Sequence, residues 1–244
     1  MKNNAVILVF TICLGVIAFT GCSKNNSEKS LKVEQIKTDV SKISSDMKED
    51  ERQAWNMSRP GINTKERLLP EVNSEPKIKE NTHVVIHFTS NAYNNQQNPY
   101  NIHDTYSIFE ENKVSSNYVI DRNGEIYLFV PENRVAYHAG KGRLQDYPKY
   151  ENKLNHYSVG IELLGIGTKE EMVPMIGLEK FNLINPELLG FTDAQYDALN
   201  LLLDDILTRN PKIKKDRKHI IGHDEYNPNK TDPGSLFDWS RIGL

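Results

Sequence analysis

Thr82-His83-Val84-Val85-Ile86-His87-Phe88 is an apolar run interrupted only by histidines. Its length and β-branched content read as a buried strand. His87 falls at the C-terminal end of that strand, where a side chain can enter a cleft from a rigid support. His83 shares its face, but four strand residues span about 13 Å, so the two cannot bind one metal ion.

Further elements follow on the C-terminal side. Asn117–Arg122 and Glu125–Val130 alternate around Asn123-Gly124, a strong hairpin signal because both turn residues tolerate positive φ. Tyr157–Leu164 and His219–Gly222 read as further strands. Thr192 and Gln195 form a capping-box pattern, followed by an apolar face of Leu199, Leu202, Leu203 and Ile206, and Asn210-Pro211 ends this helix. The Asn/Gln/Tyr-rich residues 91–107 read as a surface loop, and 166–190 as a Gly/Pro-punctuated insertion. Together these predict a single mixed α/β domain over 78–244, a central sheet flanked by helices.

Residues 1–21 carry one charge, at Lys2, ahead of an apolar run from Ala5 to Phe19. That run is too short to favour a membrane span and reads as a cleaved signal. Phe19-Thr20-Gly21-Cys22 resembles a bacterial lipoprotein box, with Phe19 where Leu is usual, and implies lipidation of Cys22. The second cysteine, Cys13, lies within the discarded segment, so a disulfide is excluded in the mature chain. Residues 22–77 read as a tether and helical extension, with Ile36, Val40, Ile43 and Met47 at helical spacing. Ser23 suggests the outer membrane, facing the periplasm; in a single-membrane cell the anchor would be the plasma membrane. The formal charge of −3 over 244 residues, with no basic stripe, argues against a nucleic-acid partner. The protein is expected to be a monomer.

Several side chains stand out for chemistry. His223 ends the last strand run, and Lys230 and Asp232 follow in a Pro/Asn-rich loop. Two histidines and a carboxylate with one open position form a catalytic zinc arrangement, and His87 is the natural third member beside His223 and Asp232. Were 219–223 helical, His219 could join His223; Ile220-Ile221-Gly222 favours a strand. Val159, Ile161 and Leu163 share one face, which turns Glu162 to the other, beside the small Gly160. A partly buried carboxylate there suits a general base, while a strand glutamate paired with a basic residue is the ordinary alternative. Lys230, two residues before Asp232, leaves the same face of extended chain and could stabilise an oxyanion; otherwise it is a solvated loop lysine.

In order, these pieces resemble the zinc-dependent N-acetylmuramoyl-L-alanine amidases of the type-2 amidase and peptidoglycan-recognition superfamily. The matching runs are Val84–His87, Asn117–Ile126, Val130-Pro131, Ala136–Gly140, Ser158–Glu162, Phe191–Tyr196, Gly222-His223-Asp224, Lys230–Gly234 and Phe237-Asp238-Trp239. The resemblance implies Zn2+ on His87, His223 and Asp232, with Glu162 as catalytic glutamate and Lys230 at the oxyanion. It implies hydrolysis of the amide between N-acetylmuramic acid and L-alanine in peptidoglycan or muropeptides. His138 and Asn117 are expected to touch substrate. Some members carry Cys in place of Asp232 and use a tyrosine instead of the glutamate; Ser115-Ser116-Asn117 offers no such tyrosine. With the domain expected over 78–244, no separate wall-binding module is expected after it. A peptidoglycan-binding lipoprotein without activity is the rival reading, since some members bind without cutting.

Overall fold

The computed structural model describes residues 62–244. The signal segment, Cys22 and the expected helix through Ile36, Val40, Ile43 and Met47 lie outside them. A six-stranded mixed sheet organises the domain. Its strands are β1 (Thr64–Glu66), β3 (His83–Thr89), β4 (Tyr118–Ile120), β5 (Ile126–Leu128), β7 (Ser158–Leu164) and β8 (Ile220–Gly222), in the order β1-β5-β4-β7-β3-β8. Only the β4–β5 pairing is antiparallel. A separate antiparallel pair joins β2 (Ser74–Pro76) to β6 (Arg134–Ala136). The folded unit thus starts before residue 78, because β1 extends the main sheet. Three-residue strands such as β1 and β2 are too short for their periodicity to show in sequence.

Alternation along the central strands sorts the two faces. Val84, Ile86, Val159, Ile161 and Leu163 pack with Leu199, Leu202, Leu203 and Ile206 of the long helix, here α4 (Asp193–Arg209), whose Thr192–Gln195 capping box is present. All four helix residues are at most 1% exposed, and burying each contributes about 1.5–3 kcal/mol. Val85, on the opposite face, packs with Ala139, Leu144, Tyr150, Leu154, Ile221 and Tyr226.

Between β4 and β5 the turn is wider than the two-residue form the Asn-Gly pair predicts. Asp121 O accepts from Gly124 N at 3.0 Å, Asp121 N donates to Glu125 O at 3.0 Å, and Asp121 Oδ1 accepts from Asn123 N and Glu125 N. Only Gly124 takes positive φ (+81°), and a Cβ there would lie 2.5 Å from Ala194 O. Glycine is therefore required by the approach of α4 as well as by the turn.

Two stretches read as irregular are partly helical. Within and beyond 91–107 lies α1 (Ile102–Asn112), capped by Asn101, whose side chain accepts from His103 N. The 166–190 insertion holds α2 (Lys169–Ile176) and α3 (Leu178–Phe181). Ile166, Met172, Ile176 and Ile184 form a small core of their own with Ala92. Among the described residues no helix is long and apolar enough to cross a membrane.

Candidate active site

Parallel register places the chemistry at the C-terminal ends of the central strands, where ligands bind in open α/β sheets. His87 on β3 is level with Glu162 on β7, and Ile86 is level with Gly222. The chain then turns into α5 (His223–Tyr226), setting His223 beside His87. The loop that follows returns Asp232, whose carbonyl accepts from Asp224 N at 3.0 Å.

His87 Nδ1 lies 3.1 Å from His223 Nδ1 and 2.7 Å from Asp232 Oδ2, and His223 Nδ1 lies 3.0 Å from the same oxygen. These three are the one grouping of metal-type donors that converges among the described residues. The donor chemistry fits a cation. His223 Nε2 is 3.0 Å from the Ala139 carbonyl, which can only accept, so His223 carries a proton there, which leaves Nδ1, on the side of Asp232, as its coordinating atom. A lone pair facing a carboxylate at 3 Å is what a zinc-type ion relieves, and two imidazoles with a carboxylate suit zinc. Burial holds His87 neutral, lowering its pKa to about 4 although the Asp232 carboxylate beside it pulls the other way.

His83 and His219 are level with each other one strand length away. Their rings stack at 5.5 Å, with Tyr147 and Tyr150 each 5.0 Å from His83, outside the donor cluster.

Glu162 is 8% exposed, and its Oε2 is buried with no hydrogen-bond partner among the described residues. Burial first, then the charge of Asp232, pushes its pKa well above the carboxylate range, with Lys230 pulling the other way. The paired-glutamate alternative is thereby set aside. Lys230 is exposed and has no ion-pair partner among the described residues. It lines the same cleft of about 460 Å³ as His87, Glu162, His223 and Asp232.

One expected substrate contact, Asn117, is corrected. Asn117 is fully buried; its Nδ2 donates to Val130 O and its Oδ1 accepts from Gly160 N, both at 3.0 Å. It ties β7 to the chain just past β5 and is not among the residues that line the cleft. His138 does line the cleft, but its Nδ1 is 3.0 Å from His87 Nε2 and its Nε2 is 3.2 Å from Ser158 Oγ. Neither ring nitrogen is left for substrate. Its ring occupies the space that Gly160 leaves open, since a Cβ there would sit 2.6 Å from His138 Cγ.

The cleft walls include residues to which the sequence gave no role: Ser115 and Tyr137, hydrogen-bonded to each other, and Pro174 and Met175 of α2. Glu171 braces α2 against the ligand loop, accepting from Thr168 N and Ser235 N at 2.7 Å each. The Thr168–Glu171 capping box was the available signal for this wall.

A family model for N-acetylmuramoyl-L-alanine amidases matches residues 78–235. The chain belongs to that family. Over 141 residues it is 36% identical to the 1,6-anhydro-N-acetylmuramyl-L-alanine amidase AmpD of Haemophilus influenzae, covering 57% of this chain and 62% of the relative. The Escherichia coli AmpD is 34% identical over 131 residues, covering 53% and 57% respectively. The chain thus spans about six-tenths of the length of the curated relatives it matches. A crystal structure of a selenomethionine derivative of AmpD superposes with a TM-score of 0.52 at 26% identity, covering 73% of this chain and 92% of that one.

Proposed function

We propose that this protein hydrolyses the amide between N-acetylmuramic acid and L-alanine in muropeptides, with a zinc ion held by His87, His223 and Asp232. The observation that carries the reading is the buried, unpartnered Glu162 carboxyl beside three converging donors in one cleft. The family match and the activity in the names of the AmpD relatives support the substrate class.

Zinc, when bound, supplies Lewis acidity, acidifying water and polarising a carbonyl. The remaining chemistry belongs to the chain. Glu162, with a pKa raised toward the working range, takes a proton from the attacking water. The water oxygen adds to the lactyl carbonyl of the muramic acid. Lys230 faces the developing oxyanion from the cleft rim. Glu162 then delivers its proton to the alanine nitrogen as the C–N bond breaks, which regenerates the carboxylate.

The test is mass analysis of purified muropeptides incubated with the protein plus zinc, plus chelator, or as Glu162→Ala. Stem peptide with a free L-alanine amine, released only by the zinc-loaded wild type, is expected. Binding without release under every condition would leave the non-catalytic reading in its place. We propose further that Cys22 carries a lipid anchor that holds the domain outside the cytoplasm, most simply at the periplasmic face of the outer membrane. Loss of labelled fatty acid from a Cys22→Ala chain expressed in cells would support the anchor, and unchanged labelling would refute it.

A further inference from the structure

We infer that the dipeptide His138-Ala139 orients both metal histidines, and that His138 is a positioning residue for His87 whose proton direction is set by the Leu154 carbonyl. This rests on the metal reading above.

The argument is a count of protons along a chain of contacts. Ser158 Oγ lies 2.7 Å from Leu154 O. A carbonyl can only accept, and a hydroxyl has one hydrogen, so Ser158 donates there. What Ser158 turns toward His138 is therefore a lone pair, and His138 Nε2 at 3.2 Å must be the donor. The metal reading asks for the same arrangement, since a His87 that coordinates through Nδ1 keeps its proton at Nε2 and needs an acceptor at His138 Nδ1. A neutral imidazole protonated at Nε2 carries a lone pair at Nδ1. His87 Nε2, 3.0 Å away, must then donate to it. That leaves the lone pair of His87 at Nδ1, facing Asp232 Oδ2 and His223 Nδ1.

Reversing the chain fails at its first link. With one proton on each imidazole, it would put a proton on His87 Nδ1 only by leaving the Ser158 and Leu154 oxygens 2.7 Å apart with no hydrogen between them.

Ala139 does for His223 what His138 does for His87. Its carbonyl takes the His223 Nε2 proton at 3.0 Å. One side chain clamps the dipeptide: Asn155 Oδ1 accepts from Ala139 N at 2.8 Å and from His138 N at 3.3 Å. Gly160 completes the arrangement by leaving room for the His138 ring. The histidine thus serves the ligand set from the wall of the cleft, with both ring nitrogens engaged.

The experiment uses the purified protein with zinc, measured by competition against a chromogenic chelator, and with cobalt, read by its visible d–d spectrum. His138→Phe keeps a ring over Gly160 and removes the acceptor for His87. It is expected to weaken zinc binding by about 10–100-fold and to shift the cobalt spectrum. His138→Asn, which retains an acceptor, is expected to recover most of that loss. Ser158→Ala, which leaves the ring in place but frees its proton, should weaken binding by less than about tenfold and shift the spectrum the same way. If the wild type binds zinc while His138→Phe and Ser158→Ala bind equally tightly with unchanged cobalt spectra, the inference is overturned and the metal reading stands. If the wild type itself fails to bind zinc, the metal reading falls and the inference with it.

Discussion

Replacing Glu162 by Gln should trade activity for stability, and the two effects come from one physical cause. Glu162 sits on a fully buried strand with Oε2 unpartnered. Its ionised form is therefore disfavoured in the fold, by burial and by the nearby Asp232 carboxylate, with Lys230 as a partial offset. A carboxyl whose folded pKa is raised costs stability once pH exceeds the unfolded value near 4.5. The cost grows as pH climbs to the folded value and is constant above it. Glu162→Gln removes that charge while keeping the shape. The metal-free variant should therefore be more stable than wild type at pH 8, by about 1–3 kcal/mol, the usual cost of a buried group without partners. At pH 4, where both carry a neutral side chain, the gap should close. Urea unfolding at the two pH values measures it. The same substitution removes the proton carrier, so turnover of the zinc-loaded enzyme should fall by about 10²–10⁴-fold, which is about 3–5 kcal/mol of barrier. A variant less stable than wild type at pH 8, or one that retains wild-type turnover, would refute the assignment of Glu162 as a destabilised base.

Other expectations are simpler. Chelation should lower the melting temperature of the zinc-loaded protein: at a hundredfold excess over Kd the ion contributes about 2.7 kcal/mol, or roughly 5–10 °C for a domain of this size. His87→Ala should abolish that difference, as scanning calorimetry with and without chelator would show. Leu202→Ala, opening a void between α4 and the sheet where the side chain is 1% exposed, should cost about 2–5 kcal/mol in chemical denaturation. Asn117→Ala should cost at least about 2 kcal/mol by orphaning Gly160 N–H and Val130 C=O. Its KM should be unchanged if the variant folds; a raised KM at unchanged stability would restore Asn117 to the substrate.

The elements legible in the sequence were those whose signal is local. β3 and β7 are long apolar runs, and α4 announces itself through Thr192, Gln195 and its leucine face. His87, His223 and Asp232 could be grouped because strand spacing excluded His83 and His219. The structure places the latter pair stacked on each other at the far end of the same strands. What stayed hidden depends on contacts distant in sequence. α1 is preceded by Asn- and Gln-rich chain that mimics a loop, and α2 contains Pro174, which reads as a helix breaker. Asn117 and His138 are polar residues in a family motif, and such residues suggest a ligand. Only the β4–β7 register shows that one is consumed by Gly160, and only the fold of the 138–139 segment sets the other behind His87. Asn155 carried no signal, and the role of Ser158 within its run was hidden, since their partners lie on other elements.

The most direct test of the central claim is hydrolysis of a muropeptide in ¹⁸O-labelled water, with mass analysis of both products. Attack of water on the lactyl carbonyl predicts one ¹⁸O in the muramic acid carboxylate and none in the peptide, whose new terminus is the L-alanine amine. Label in a peptide carboxylate or in the sugar ring, or intact substrate with zinc present, would contradict the account.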